Sequence, residues 1–485
     1  MDGYRQRIGL LLGPLAALGG YLAGAPEGLT PAEWSVALVA ILMAIWWISE
    51  ALPLAATALV PIVAFPLLGV LPVGEVTEAY GNDLIYLFLG GFFIAVTMQR
   101  WGLHRRIALH TINLVGPSPR RVILGFMLAT AGLSMWISNT ATAMMMLPIA
   151  LAVLRQSEDE AGQRGEALPR GFGVALMLGV AYAASIGGIA TLIGTPPNAV
   201  LAGQVQELYG VEITFAGWMA FGLPLSLLFL GIAWLYLAFG RHCRHLGQLA
   251  SGREPIRQEL AALGRMDRAE RRVLAVFALV AAAWVGRGFL PAGVLEALGD
   301  ASIAIAGALA LFLLPSGRRR GERLLDWETA VQIPWDIVLL FGGGFALAAG
   351  FGASGLSESL AEGLEVLDGV SILLILAACV TLVVFLTEVT SNTATATVFV
   401  PLMGALATAM GFNPVVLMAA VAVAASCAFM LPVATPPNAV VFGSQALTVP
   451  DMARAGLVLN LITIVLTTAF VYLLLPVALG VELAA

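Results

Sequence analysis

The sequence predicts an all-α polytopic membrane protein built as an inverted repeat, with about eleven transmembrane helices and two re-entrant hairpins. Three observations carry this: an apolar composition, a one-sided distribution of arginine, and polar motifs that recur at fixed spacing. The 485 residues are 60% hydrophobic and 11% charged, with a mean hydropathy of +0.93. No water-soluble domain of this length needs so much apolar surface, so the bilayer is its expected solvent. Apolar stretches near Ile8–Leu22, Trp34–Ile48, Leu54–Leu71 and Leu84–Met98 have about the length of membrane helices, and similar ones recur to the C-terminus. Arg5 and Arg7 precede the first, but further spans and no small-residue cleavage site follow, so a removable leader is not expected. Cys243, Cys379 and Cys427 are too scattered for a disulfide framework.

Every basic residue is arginine. If spans alternate sides and the N-terminus is cytoplasmic, Arg100, Arg105, Arg106, Arg120, Arg121, Arg155, Arg164 and Arg170 fall inside. So do the eight arginines from Arg241 to Arg272, the Arg318–Arg323 cluster and Arg454; only Arg287 falls outside. Acidic residues such as Glu27, Glu33, Glu75, Glu78, Glu207, Glu212, Glu358 and Glu362 take the outer loops. The bias holds only if residues 121–155 enter from and return to the cytoplasm, and residues 371–411 do the same from the outer face. Both are therefore expected to be re-entrant hairpins, with the C-terminus outside.

The repeat supports this. "DLIYLFLGGFFIAV" from Asp83 resembles "DIVLLFGGGFALAA" from Asp336, and "SNT" at Ser138 returns at Ser391; both pairs lie 253 residues apart. "GTPPNA" around Thr195 pairs with "ATPPNA" around Thr435 at an offset of 240, a polar loop near 158–169 accounting for the difference. Corresponding segments run in opposite directions, as in secondary transporters. Each SNT lies between apolar arms, at an expected hairpin tip. Non-helical backbone at membrane depth is tolerated where it lines an enclosed cavity. Broken helices leave free N–H groups, which favour an anion, and free carbonyls, which with Ser and Asn oxygens suit sodium. Thr195 and Thr435 suit an N-cap and the prolines after them a first turn, while Gly187 and Gly188 let the backbone unwind.

At these residues the chain resembles the divalent anion/sodium symporter family, carriers of di- and tricarboxylates and, in some branches, sulfate. The resemblance covers nearly the whole chain and rests on SNTATA twice, GTPPNA, ATPPNA and their order. It implies a homodimer with an elevator mechanism: scaffold segments 1–106 and 273–352, transport-domain segments 107–240 and 353–485, and a cytoplasmic linker 241–272. It implies that Ser138, Asn139 and Thr140 meet one substrate carboxylate, that Ser391, Asn392 and Thr393 meet the other, and that Thr435 and Pro436 shape the pocket. One sodium site would use Ser134, Ser138, Asn139 and the Gly187 carbonyl; the other Thr387, Thr390, Asn392 and the Ala434 carbonyl. Thr390 stands where the family often has a smaller residue, a change that a backbone ligand survives. The motifs hold no basic residue, so substrate binding is expected to need sodium.

The expected function is sodium-coupled import of C4-dicarboxylates (succinate, fumarate or malate) across a bacterial cytoplasmic membrane, with no nucleic-acid partner. Sodium-independent exchange, or a tricarboxylate or sulfate cargo, is the alternative. An enzyme is not expected: there is no HExxH, and His104, His110, His242 and His245 lie in surface or cytoplasmic stretches. Paired hairpins and broken spans suit occlusion better than an open channel. The glycines at 90–91 and 342–344 read as close helix packing, Trp46–Trp47 as interfacial or packing aromatics, Arg287 as a snorkelling residue, and His242/His245 as a solvated or lipid-facing stretch. Glu388, costly if charged in lipid, is expected to pack against a polar partner or face water, with a supporting or proton-sensing role beside the site as the alternative. "IRQELAALGRMDRAERR" hints at a surface amphipathic helix.

Overall fold

A computed structural model describes residues 2–116, 118–163, 168–240, 254–287, 299–363 and 370–483. His242, His245 and the arginines from Arg241 to Arg253 lie outside the described residues. Among the described residues, structure is helical apart from one isolated antiparallel bridge between Pro315 and Arg323. Six helices among the described residues are long and apolar enough to cross a membrane: Pro31–Ser49, Val73–Arg100, Arg170–Gly188, Phe215–Phe239, Trp335–Ser354 and Val449–Leu473. Leu54–Leu67, Asp300–Leu313, Ile372–Thr387 and Pro414–Ala425 are shorter apolar helices.

In the first half, α1 (Asp2–Ala23) and α2 (Pro31–Ser49) pack together. Thr30 and Glu33 form a capping box at the start of α2, and Trp34 donates to the Gly20 carbonyl at 2.9 Å. Of the tryptophan pair, Trp47 is fully buried and donates to the Leu54 carbonyl. Then come α3 (Asp83–Arg100), α4 (Leu103–Val115), the hairpin arms α5 (Pro119–Ser134) and α6 (Asn139–Gln163), the interrupted pair α7 (Arg170–Gly188) and α8 (Pro196–Tyr209), and α9 (Phe215–Phe239). After α10 (Glu254–Leu263) and α11 (Arg268–Arg287), the second half repeats the pattern: α12 (Asp300–Leu313), α13 (Trp335–Ser354), α14 (Leu356–Gly363), hairpin arms α15 (Ile372–Thr387) and α16 (Asn392–Ala409), the interrupted pair α17 (Pro414–Ala425) and α18 (Pro436–Phe442), and α19 (Val449–Leu473).

The paired glycines are sites of close approach. A Cβ on Gly90 would meet the Ala304 backbone at 2.6 Å, and one on Gly343 would run into the Ala58 carbonyl. Gly91 faces Ile193 in the α7–α8 break, while Gly344, 253 residues later, faces Thr397 in α16. The two glycine faces thus bring α3 and α13 against the hairpin and broken-helix region.

Long-range polar links fix the rest. The "IRQELAALG" segment is helical as α10, packs on α4 and ends at Gly264 with φ +61°. Buried Arg106 on α4 pairs with Glu270 at 2.9 Å and donates to the Leu263 and Gly264 carbonyls. Arg318 pairs with Asp267, and Arg100 with Asp326 at 2.5 Å. Partial burial pushes the Asp267 carboxyl up, but the Glu270 backbone N–H and Arg318 outweigh it and hold that carboxyl below its usual range. Arg287 departs from the expectation of a snorkelling residue. Its side chain is 11% exposed, donates to Glu212 at 3.1 Å and pairs with Asp300 at 3.3 Å, so carboxylates rather than lipid headgroups take its charge.

Candidate functional site

Both SNT motifs form turns between helical arms. The α5 arm ends at Ser134 and α6 begins at Asn139; the α15 arm ends at Thr387 and α16 begins at Asn392. In each, the serine caps the returning helix: Ser138 Oγ accepts from Ala141 N at 3.3 Å and Ser391 Oγ from Ala394 N at 3.5 Å. A capping hydroxyl accepts with a lone pair and keeps its own proton for another acceptor. The first-turn N–H groups of Asn139 and Thr140, and of Asn392 and Thr393, have no helical partner and sit at the positive end of a dipole. All six SNT residues are half-buried. Each tip therefore offers hydroxyl and N–H donors without a fixed cation.

The interrupted helices contribute differently. Thr195 and Thr435 precede α8 and α18 with near-identical extended backbones (φ −145°, ψ 141° and φ −139°, ψ 148°), and neither caps with its side chain. Pro196–Pro197 and Pro436–Pro437 fill the first two positions and have no N–H. The helix dipole remains, and the threonine hydroxyl is one of the donors left there. Thr435 Oγ1 is buried with no partner among the described residues, while Pro436 is exposed beside it. Asn198 and Asn438 hold the breaks in shape. Asn198 Nδ2 donates to the Gly188 carbonyl at 3.2 Å and to Thr191 at 2.8 Å; Asn438 Nδ2 donates to Ala428 at 3.1 Å and Leu431 at 3.0 Å. The 240-residue offset relates every member of these two sets.

The repeats interlock. Arm α6 of the first hairpin packs on α18 of the second repeat, and arm α16 of the second hairpin packs on α8 of the first. The helices that begin at the four breaks thus pack across the repeats, each tip lying against the break of its own repeat, Asn139 at Gly188 and Glu388 at Phe429–Leu431.

Beside each tip lies a cluster of oxygens. The amide oxygen of Asn139 is 2.5 Å from Ser134 Oγ, 3.1 Å from the Ala184 carbonyl and 3.3 Å from the Gly194 carbonyl. Turned the other way, the amide nitrogen donates to all three; turned as an oxygen, it completes a set of hard ligands that a small cation would draw together. At the second tip Thr387 Oγ1 lies 2.7 Å from Asn392 Oδ1 and 3.0 Å from the Ala425 carbonyl. The Thr390 hydroxyl is taken up by the Leu386 carbonyl and Thr395 Oγ1, which leaves its backbone carbonyl as the group it can offer.

Gly187 packs α7 on α5. Its carbonyl accepts the Ala190 N–H at 3.1 Å, and its Cα lies so close to Ala131 that any Cβ would overlap that backbone. The carbonyls facing Asn139 are those of Ala184 and Gly194, and the 240-residue offset pairs Gly194 with Ala434. Sequence reasoning also missed the role of Asn198 and Asn438, although the repeated TPPN marked both.

Residues 8–477 match the family model described as the sodium:sulfate symporter transmembrane region. The chain is 44% identical over 483 residues to the sodium-dependent dicarboxylate transporter SdcS of Staphylococcus aureus strain USA300, covering 99% of this chain and 93% of that one. The SdcS of strain MRSA252 matches to the same extent. Among solved structures, the YdaH transporter of Alcanivorax borkumensis superposes with a TM-score of 0.57 at 16% identity, covering 82% of this chain and 87% of that one. The MtrF protein of Neisseria gonorrhoeae gives 0.56 at 13%, covering 82% and 83%; at these identities the likeness concerns the fold. With the matching model spanning almost its whole length, and two tips and two breaks to match, this chain belongs to the sodium:sulfate symporter family, the divalent anion/sodium symporters.

Proposed function

We propose that the protein imports C4-dicarboxylates such as succinate, fumarate or malate together with sodium. The observation that carries this is the pair of tips, each with neutral donors for one carboxylate and an oxygen cluster for one cation beside it. Ser138, Asn139 and Thr140 bind one carboxylate and Ser391, Asn392 and Thr393 the other; Thr435 and Pro436 close the pocket. Sodium binds at Ser134, Ser138, Asn139 and Gly194, and at Thr387, Thr390, Asn392 and Ala434. With no arginine at the tips, the bound cations offset the substrate's charge, so substrate and sodium bind cooperatively. The function named for its S. aureus relatives agrees with this reading.

The chain crosses the bacterial cytoplasmic membrane eleven times, N-terminus inside and C-terminus outside, with two re-entrant hairpins. Support comes from the polar links, each of which joins residues that the arginine bias assigns to one side: Arg170–Asp451, Arg106–Glu270 and Arg100–Asp326 inside, and Arg287–Glu212 and Glu33–Ser359 outside. Residues 107–240 and 353–485 move as a transport domain against a homodimeric scaffold of residues 1–106 and 273–352. Arg5, at the cytoplasmic end of α1, donates to the Val389 carbonyl at 3.1 Å, beside the tip of the hairpin that enters from outside. That reach fits a transport domain carried toward the cytoplasm.

The test is succinate uptake into proteoliposomes with sodium outside and no anion inside, against the same with choline. Sodium-driven accumulation supports symport. Uptake that appears only after internal dicarboxylate is loaded makes the protein an exchanger, and uptake of sulfate but not succinate places its cargo with the anion in the family's description.

A further inference from the structure

Glu388 follows Thr387 at the second tip and is 4% exposed. Its carboxylate accepts three consecutive backbone N–H groups, Phe429 at 2.7 Å, Met430 at 2.9 Å and Leu431 at 3.0 Å, and the Asn460 side chain at 2.9 Å. Those three amides lie in the unwound stretch between α17 and α18, where no helix satisfies them, and that stretch leads directly to the Ala434 carbonyl and Thr435. The surroundings make the arrangement specific. On α19, Gly456 lets the helix backbone press against the Phe429 carbonyl, where any Cβ would overlap, and one turn later Asn460 reaches the carboxylate. The Phe429 ring is held edge-on by Tyr182 at 5.2 Å and Phe229 at 5.6 Å.

The first repeat does this without a charge. The position 253 residues before Glu388 is Met135, whose backbone carbonyl accepts the Thr191 hydroxyl at 2.5 Å. There the break keeps a helical turn: Ile189 N–H bonds the Ile186 carbonyl and Ala190 N–H the Gly187 carbonyl. All four donors to Glu388 are neutral, and it forms no ion pair among the described residues. Its negative charge is therefore held in place by dipoles but not cancelled, one residue from the hydroxyl that meets Asn392 Oδ1 and the Ala425 carbonyl.

We propose that Glu388 is a positioning residue for sodium at the second hairpin, clamping the unwound backbone that leads to Ala434 and supplying a fixed negative charge that the first site lacks. This rests on the sodium-coupled reading above. The two sodium sites are consequently unequal, with the second the tighter, because only one of two symmetry-related oxygen clusters has a buried carboxylate behind it.

The test compares wild type, Glu388→Gln and Glu388→Asp by two readouts: sodium-titrated succinate uptake in proteoliposomes, and the sodium-dependent rise in thermal midpoint of the purified protein without substrate. Glu388→Gln is expected to raise half-saturating sodium about tenfold in both, the size of one partly screened charge interaction. Its KM for succinate at saturating sodium should stay within about twofold. Glu388→Asp keeps the charge on a shorter stem and is expected to shift half-saturating sodium by only about threefold; it decides the matter where Glu388→Gln cannot be purified. A purely structural glutamate would lower the midpoint equally in sodium and choline and leave half-saturating sodium unchanged, and that result overturns the proposal. If wild type itself lacks a sodium response in both readouts, the sodium-coupled reading fails and this inference with it; a wild-type response with an unaltered Glu388→Gln titration sinks the inference alone.

Discussion

Removing the hydroxyl of Thr387 while keeping its shape probes one cation site. Thr387→Val keeps the volume of a fully buried side chain but removes the donor of the Ala425 carbonyl and Asn392 Oδ1, so a stability loss common to sodium and choline is expected beside the sodium effect. In the structure the hydroxyl serves Asn392 Oδ1 at 2.7 Å and the Ala425 carbonyl at 3.0 Å. In the proposed sodium site, the same oxygen would turn its lone pairs to the ion. A hydrogen bond or ligand contact involving a charged partner contributes about 1.5–3 kcal/mol, which is about 10- to 150-fold in half-saturating sodium. Ser134→Ala should act alike on the first site, since Ser134 and Asn139 reproduce the pair 253 residues earlier at 2.5 Å. The assay is initial succinate uptake against external sodium at fixed potassium. Either variant should need more sodium but approach wild-type KM for succinate once sodium saturates. A variant that weakens succinate binding at saturating sodium, with its sodium titration unmoved, would refute the assignment of these oxygens to the cation.

Other outcomes follow from the packing. Gly187→Ala drives a methyl into the Ala131 backbone, so α5 and α7 must separate; a loss of about 1–3 kcal/mol is expected, read as a lower thermal midpoint in choline and sodium alike. Asn438→Leu leaves the Ala428 and Leu431 carbonyls without their amide donor; about 1–3 kcal/mol of stability should go, measured by thermal unfolding, along with transport. Arg106→Ala strands buried Glu270 and two carbonyls and should cost about 3–5 kcal/mol. The double variant Arg106→Met/Glu270→Leu should recover most of that in the same unfolding assay.

The broken elements were legible because their chemistry repeats. SNT and TPPN each occur twice at fixed offsets, and the turns, caps and proline-led helices fall where those letters stand. What the letters did not carry is register between spans. Gly187 looked apt as an unwinding glycine, yet it serves to bring α7 against α5, and the Gly194 carbonyl, seven residues on, lies 3.3 Å from the Asn139 amide. The offset that pairs Ala434 with Gly194 was available in the sequence. The partners of Glu388 and Arg287 were not available. Asn460 is 72 residues from Glu388 and Glu212 is 75 from Arg287, and no periodicity predicts which faces of distant helices meet.

The central claim is that two symmetry-related tips hold one divalent anion between them. Its most direct measurement is succinate accumulation under one inward sodium gradient by wild type, Asn139→Ala and Asn392→Ala, each reconstituted to equal density. The account predicts accumulation above equilibrium in wild type, and a loss of at least about a hundredfold in either variant, since each removes a side chain that serves both substrate and sodium. Normal accumulation by one variant with its partner inactive would contradict it, placing the substrate at a single tip.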